Sequence, residues 1–173
     1  MSEITIVQKK QEYALCESKI VGTLSLGKVM APIYKSISEI LKKHDIEFGD
    51  NCMPFAKYNN VNWDQLNKKG FLSAINLMFF YKWDLSIGIT CPESISPEGN
   101  LDKMNIIFGD YVRMIHKGPY QKVGETYEKI LEYVKREKIE TDNYSIEFYL
   151  NDPRETPKNF LKTEVLVPIV KTS

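Results

Sequence analysis

The chain is poor in the residues on which metal and nucleophile chemistry depends. Its 173 residues include only three cysteines, Cys16, Cys52 and Cys91, and two histidines, His44 and His116. The cysteines are odd in number, widely spaced and form no CxxC, which argues against a disulfide framework and a zinc site and predicts reduced, mostly buried thiols. No metal and no cofactor is expected. Charge of one sign is missing too. Lys plus Arg total 23 and so do Asp plus Glu, so no bulk charge draws the chain to nucleic acid or an anionic membrane surface. No stretch is long and uncharged enough to span a bilayer, and the start of the chain has no apolar core of signal-peptide length. The protein is therefore expected in the cytoplasm, away from membranes. Also absent are GxSxG, GxxxxGK[ST], a dinucleotide fingerprint and HExxH, so the common hydrolase, nucleotide and zinc chemistries lack their parts.

What is present is a core-forming composition, 43% hydrophobic and 12% aromatic, enough for one domain over residues 1–173 built from two fused halves. Two amphipathic helices stand out. Ile33, Tyr34, Ile37, Ile40 and Leu41 make a stripe that ends near His44. Val123, Tyr127, Ile130, Leu131 and Val134 make another within about 119–138. Shifting the first by 93 positions (127 minus 34) lays Tyr34 on Tyr127, Ile37 on Ile130 and Leu41 on Val134. Past the helices a shift of 91 (149 minus 58) lays Ala56 on Glu147 and Tyr58 on Tyr149. The overlay predicts a duplication, with repeat one about 13–91 and repeat two about 103–171.

Strand-like segments flank each helix: 13–21, 52–59 and 73–91 in the first half, 104–116, 144–151 and 160–170 in the second, with 94–102 as the connector. Each half reads strand, helix, strand, strand. The predicted fold class is α+β, an antiparallel sheet with two helices on one face and a ligand groove on the other.

One carboxylate breaks the pattern. In the run from Tyr144 to Asn151, Tyr144, Ile146, Phe148 and Leu150 share one face, while Ser145, Glu147, Tyr149 and Asn151 share the other. A glutamate there is either wet or functional, because an enclosed carboxylate needs a partner or a shifted pKa. Its side is expected to point to the uncovered sheet face. The stretch 77–87 is aromatic on both faces, with Trp83 aligned with Leu85 and Ile87, as a sheet bordering an apolar groove requires. His116-Lys117-Gly118-Pro119-Tyr120 reads as a strand-to-helix junction, in which Gly118 supplies an unusual backbone angle and Pro119 suits a first helical turn. Asp152, before Pro153, reads as a turn residue that satisfies local amides.

The order HxGPY (116–120), ExYxxDP (147–153) and TEVxVP (163–168), with looser matches at 54–58 and 84–88, resembles the GyrI-like small-molecule-binding family. That family includes the effector-binding domains of AraC-type and multidrug-responsive regulators. The resemblance implies a groove for hydrophobic, often cationic compounds, with Glu147 at its floor, Tyr149 beside it and Tyr58 at the matching position of the first repeat. Trp83 and Tyr111 are further candidate walls. One anion among aromatic rings suits a lipophilic monocation. The family-like region begins near Tyr13, so no upstream helix-turn-helix and no direct DNA binding are expected. The resemblance also leaves open a hydrolase of cyclopropane-containing electrophiles, with Glu147 as acid or base, and a protein that binds gyrase or another regulator. Haem is disfavoured, since neither histidine lies in an apolar stretch.

Overall fold

The computed structural model describes residues 3–47, 49, 52–63 and 82–170. Among the described residues, six strands and two α-helices follow in the order β1 (Thr5–Gly22), α1 (Leu26–Lys43), β2 (Pro54–Tyr58), β3 (Lys82–Thr90), β4 (Asp102–Lys117), α2 (Gly124–Glu137), β5 (Ser145–Tyr149) and β6 (Lys162–Pro168). A short 3-10 turn precedes each helix, Thr23–Ser25 before α1 and Tyr120–Lys122 before α2. Among the described residues each half therefore runs strand, turn, helix, strand, strand. The α+β class, the antiparallel sheet and the pair of helices are as the sequence predicts.

The helices form where apolar residues recur at helical spacing. Ile33, Ile37, Ile40 and Leu41 of α1, and Thr126, Ile130 and Val134 of α2, are their buried residues. Helix α1 packs on β1 and β3, and α2 on β4 and β6. Both meet one sheet face, carried by Leu15, Leu85, Ile87, Val112, Val165 and Val167. At the junction into α2, Gly118 has φ +126°, a conformation L side chains rarely adopt, and its N–H donates to Leu161 O at 2.9 Å. No helix among the described residues is long and apolar enough to cross a membrane.

Two features differ from expectation. Strand β1 begins at Thr5, not near Tyr13, because Thr5–Lys9 pairs with β4 (Thr5↔Arg113 to Lys9↔Gly109). The polar run Gln8-Lys9-Lys10-Gln11 concealed that pairing. Register shifts between Lys9 and Tyr13 bend the strand, and the sheet closes into a ring in the order β1-β3-β2-β5-β6-β4. As a result the helix-free face is not open. It packs on itself through Ala14, Cys16, Phe55, Ile106, Ile146, Phe148 and Leu166. Of the aromatic stretch 77–87, residues 77–81 lie outside the described residues; Trp83, Leu85 and Ile87 share one face as predicted, and that face is the helix side, not the helix-free side on which Trp83 is expected as a groove wall.

Candidate functional site

Strand β5 lies between β2 and β6, so Glu147 has Ala56 on one side and Val165 on the other. Neither neighbour carries charge, and alternation sets Glu147 opposite in direction to Ile146 and Phe148. It therefore faces the helices, not the uncovered face that the sequence reading assigned to it. The contacts fix this: Tyr127 of α2 donates to Glu147 Oε1 at 3.0 Å, and Tyr149, two residues along the strand, donates to Oε2 at 3.2 Å. The Tyr58 hydroxyl is a third donor. Tyr127 Oη also lies 3.0 Å from Ser145 Oγ, which helps hold the hydroxyl over the carboxylate.

Rings close the remaining sides. Tyr34 of α1 donates to Phe55 O at 2.9 Å, and its ring meets that of Tyr149 edge-on at 6.4 Å. Tyr120 packs edge-on against the other side of Tyr149 at 5.3 Å. Trp83 packs edge-on against Tyr58 at 5.3 Å and donates its indole N–H to Thr23, so it stands behind the cluster and supports one wall. Trp63 stacks on Tyr127 at 5.9 Å, with its N–H on Asp142 O.

Glu147 is only 4% exposed. Burial pushes its carboxyl up to about 7, against the pull of the Tyr127, Tyr149 and Tyr58 hydroxyls, which favour the ion and hold the value lower than burial alone would. The reciprocal effect appears on the tyrosines. Burial first, and then the Glu147 charge, drives Tyr34, Tyr58, Tyr127 and Tyr149 well above the usual phenol range, so all four remain neutral donors. Among the described residues no Lys, Arg or His forms an ion pair with Glu147. The arrangement is a buried carboxyl near its titration midpoint at neutral pH, solvated by phenols and walled by rings. Such a group can accept a cation or exchange a proton.

Of the residues chosen from the sequence, Glu147, Tyr149 and Tyr58 come together, with Trp83 directly behind. Tyr111 does not join them. It sits on the opposite face, 1% exposed, with its hydroxyl 2.9 Å from that of Tyr144. His116 is spent on structure, its ring nitrogens meeting Thr126 Oγ1 at 2.9 Å and Pro119 O at 3.1 Å. Asp152 accepts from the Arg154 amide, as a turn aspartate does. Sequence reasoning missed Tyr34, Tyr120, Tyr127 and Trp63. Tyr34 and Tyr127 were visible as the pair that aligned the two halves, but a tyrosine on an apolar helix stripe reads as core until the surface beneath it is known to carry a carboxylate.

The ladder adds a symmetry argument. Ala56 and Glu147, equivalent in the overlay of the two halves, are cross-strand partners on β2 and β5. The tyrosines that align with each other in the overlay, 34 with 127 and 58 with 149, come from the elements on either side of that rung.

A family model described as a GyrI-like small molecule binding domain matches residues 1–170. A search of curated proteins finds no match. Among solved structures, the C-terminal domain of EcmrR superposes with a TM-score of 0.77 at 18% identity, covering 99% of each chain. A structure described as a hydrolase from Listeria innocua gives 0.61 at 12% identity, covering 97% of this chain and 92% of the other. SAV2435, solved bound to tetraphenylphosphonium, gives 0.58 at 15% identity, covering 97% and 94%.

Proposed function

The chain belongs to the GyrI-like small-molecule-binding family, and from that premise we propose that it is a cytoplasmic binding protein for lipophilic organic cations, its two repeats working as one domain. Glu147 is the charge partner, and Tyr58, Tyr127 and Tyr149 are both its hydroxyl donors and the walls of the site, with Tyr34 and Trp83 outside them. The observation that carries this reading is the buried, ring-walled carboxyl with phenol partners in place of a cation. A bound monocation of low hydration supplies the missing charge, while ring faces replace its water shell. Because Glu147 is sealed, a ligand reaches it by displacing phenol contacts, and it must return at least what those hydrogen bonds contributed. A structural neighbour solved with a tetraphenyl cation supports the same ligand chemistry.

The test is calorimetric titration with a tetraphenyl phosphonium ion and with an uncharged triphenyl analogue, on wild type and Glu147→Gln. A charge-assisted contact of about 1.5–3 kcal/mol corresponds to roughly a 10- to 100-fold preference for the cation, which Glu147→Gln removes. Unchanged discrimination in the variant sinks the reading. A second reading, hydrolysis of strained electrophiles, is favoured by one observation: a carboxyl held at about 7 beside hydroxyl donors is suited to general acid–base work at neutral pH. Incubation with a cyclopropane-bearing alkylator and mass spectrometry separates the two, since only an enzyme yields more product than protein.

A further inference from the structure

The pairing of β2 with β3 ends in its regular part at Pro54↔Ile89, yet the same register runs on. Thr90 N donates to Met53 O at 3.0 Å, and Met53 N donates to Thr90 Oγ1 at 2.7 Å, so Met53 stands opposite Thr90. Extending that register by one step puts Cys52 across from Cys91, beside the bridge that Cys52 makes with Gly49. The amides of both cysteines turn elsewhere: Cys91 N donates to Tyr13 O at 2.9 Å on β1, and Cys52 N to Gly49 O at 3.0 Å. The two cysteines thus occupy a non-hydrogen-bonded position of an antiparallel ladder. There opposite Cα atoms lie about 4.5 Å apart and side chains lean together, within the Cα range of about 4.4–6.8 Å that a disulfide spans.

Both side chains also leave the ladder on the same face. Cys52 keeps the parity of Ala56 and Tyr58, and Cys91 that of Ile87 and Ile89; both belong to the helix-side core, 2% and 6% exposed. The third cysteine, Cys16, belongs to the opposite cluster and faces Gly88. All three are free thiols. Burial pushes the Cys52 thiol up, with a further rise from Cys91, which raises the Cys16 thiol as well.

We propose that Cys52 and Cys91 form a cross-strand dithiol that closes to an intramolecular disulfide in the folded protein, by exchange with a low-molecular-weight disulfide. The Cys91 thiolate, on the more exposed of the two residues, attacks one sulfur of the small disulfide and expels the other half as a thiolate. The Cys52 thiolate then attacks Cys91 Sγ in the mixed disulfide and expels the second half. Two protein thiols are oxidised, one small disulfide is reduced to two small thiols, and the two protons follow the leaving thiolates. The bridge ties the residues just before β2 and just after β3, four positions along the chain from Ala56, the β2 partner of Glu147. It therefore acts on the rigidity of the strand that carries Tyr58 and not on the binding groups.

The experiment treats native protein with oxidised glutathione and maps its peptides by mass spectrometry. The expected product is a monomer lighter by two hydrogen atoms with a Cys52–Cys91 linkage, formed faster as pH rises because burial keeps both groups as thiols at neutral pH. Cys16→Ser retains the bridge, and Cys52→Ser and Cys91→Ser each lose it. Closure of the loop between the two cysteines raises Tm, and dithiothreitol reverses the rise. A bridge involving Cys16, a disulfide-linked dimer, or a glutathione adduct at Cys91 that never resolves overturns the proposal. The peptide map of the wild type decides the matter even if a serine variant fails to fold.

Discussion

Replacing Glu147 by Gln should make the ligand-free protein more stable, and the gain should depend on pH in a way that can be worked out beforehand. The carboxyl titrates at 4.5 when unfolded and at about 7 in the fold. Between those values the folded state binds the extra proton, so stability rises as pH falls through 7 and levels off below 4.5. Above about pH 7 the folded protein carries an ionised Glu147 at a cost of about 1.36 kcal/mol per unit of difference, or roughly 3 kcal/mol at about pH 8. At about pH 5 most of that cost is gone, and less than about 1 kcal/mol remains. Glutamine keeps the shape, never ionises, and can be met by the same phenols, which accept as well as donate. For a chain of this size, Glu147→Gln should raise Tm by about 6–12 °C at about pH 8, and by only a few degrees at about pH 5. Differential scanning calorimetry across that range is the assay. A variant less stable than wild type at the alkaline end, or a gap that does not change with pH, refutes the account of Glu147 as a buried, ionisable, otherwise unneutralised group.

Cation affinity should fall about tenfold per pH unit below about 7 and be flat above it, because the ligand needs the ion and must displace the proton. Titrations in buffers of different ionisation enthalpy should show close to one proton released at the acid end and none at the alkaline end. Tyr127→Phe removes a donor to the carboxylate; it should cost about 1.5–3 kcal/mol where Glu147 is ionised, less where it is neutral, and should push the Glu147 carboxyl further up, as read from the pH dependence of urea unfolding. Gly88→Ala places a methyl 2.2 Å from Leu15 O and 2.6 Å from Cys16 Cβ, and should cost at least about 1–3 kcal/mol in urea unfolding. A change within about 0.5 kcal/mol would mean that β1 and β3 can move apart freely.

Period-two alternation was enough to isolate Glu147 and to align Trp83 with Leu85 and Ile87, because a strand's two faces are set locally. Period 3.6 located both helices, and Gly118 and Pro119 marked the entry to α2. What escaped depends on distant pairing. The ring closes through β1 and β4, and the Thr5–Lys9 end of that pairing is too polar to read as strand. The face that Glu147 meets could not be told from the strand itself, since alternation separates two faces without saying which one the helices cover. Tyr111 lies on the strand that leads into the HxGPY junction, but parity sends it across the sheet to Tyr144. Tyr127 was assigned to core for the complementary reason: one helix stripe carries both Ile130, which packs, and the tyrosine, which holds the carboxylate.

The position of Ala56 opposite Glu147 makes the charge transferable between the two halves. Cross-strand Cβ atoms are about 4.5–5.5 Å apart, so exchanging the residues, Ala56→Glu with Glu147→Ala, moves the anion across one rung, from β5 to β2, on the same face of the sheet. Carboxylates at both positions would sit side by side and repel. The rung thus accommodates one anion, with the carboxylate of Glu147 matched across it by the uncharged Ala56.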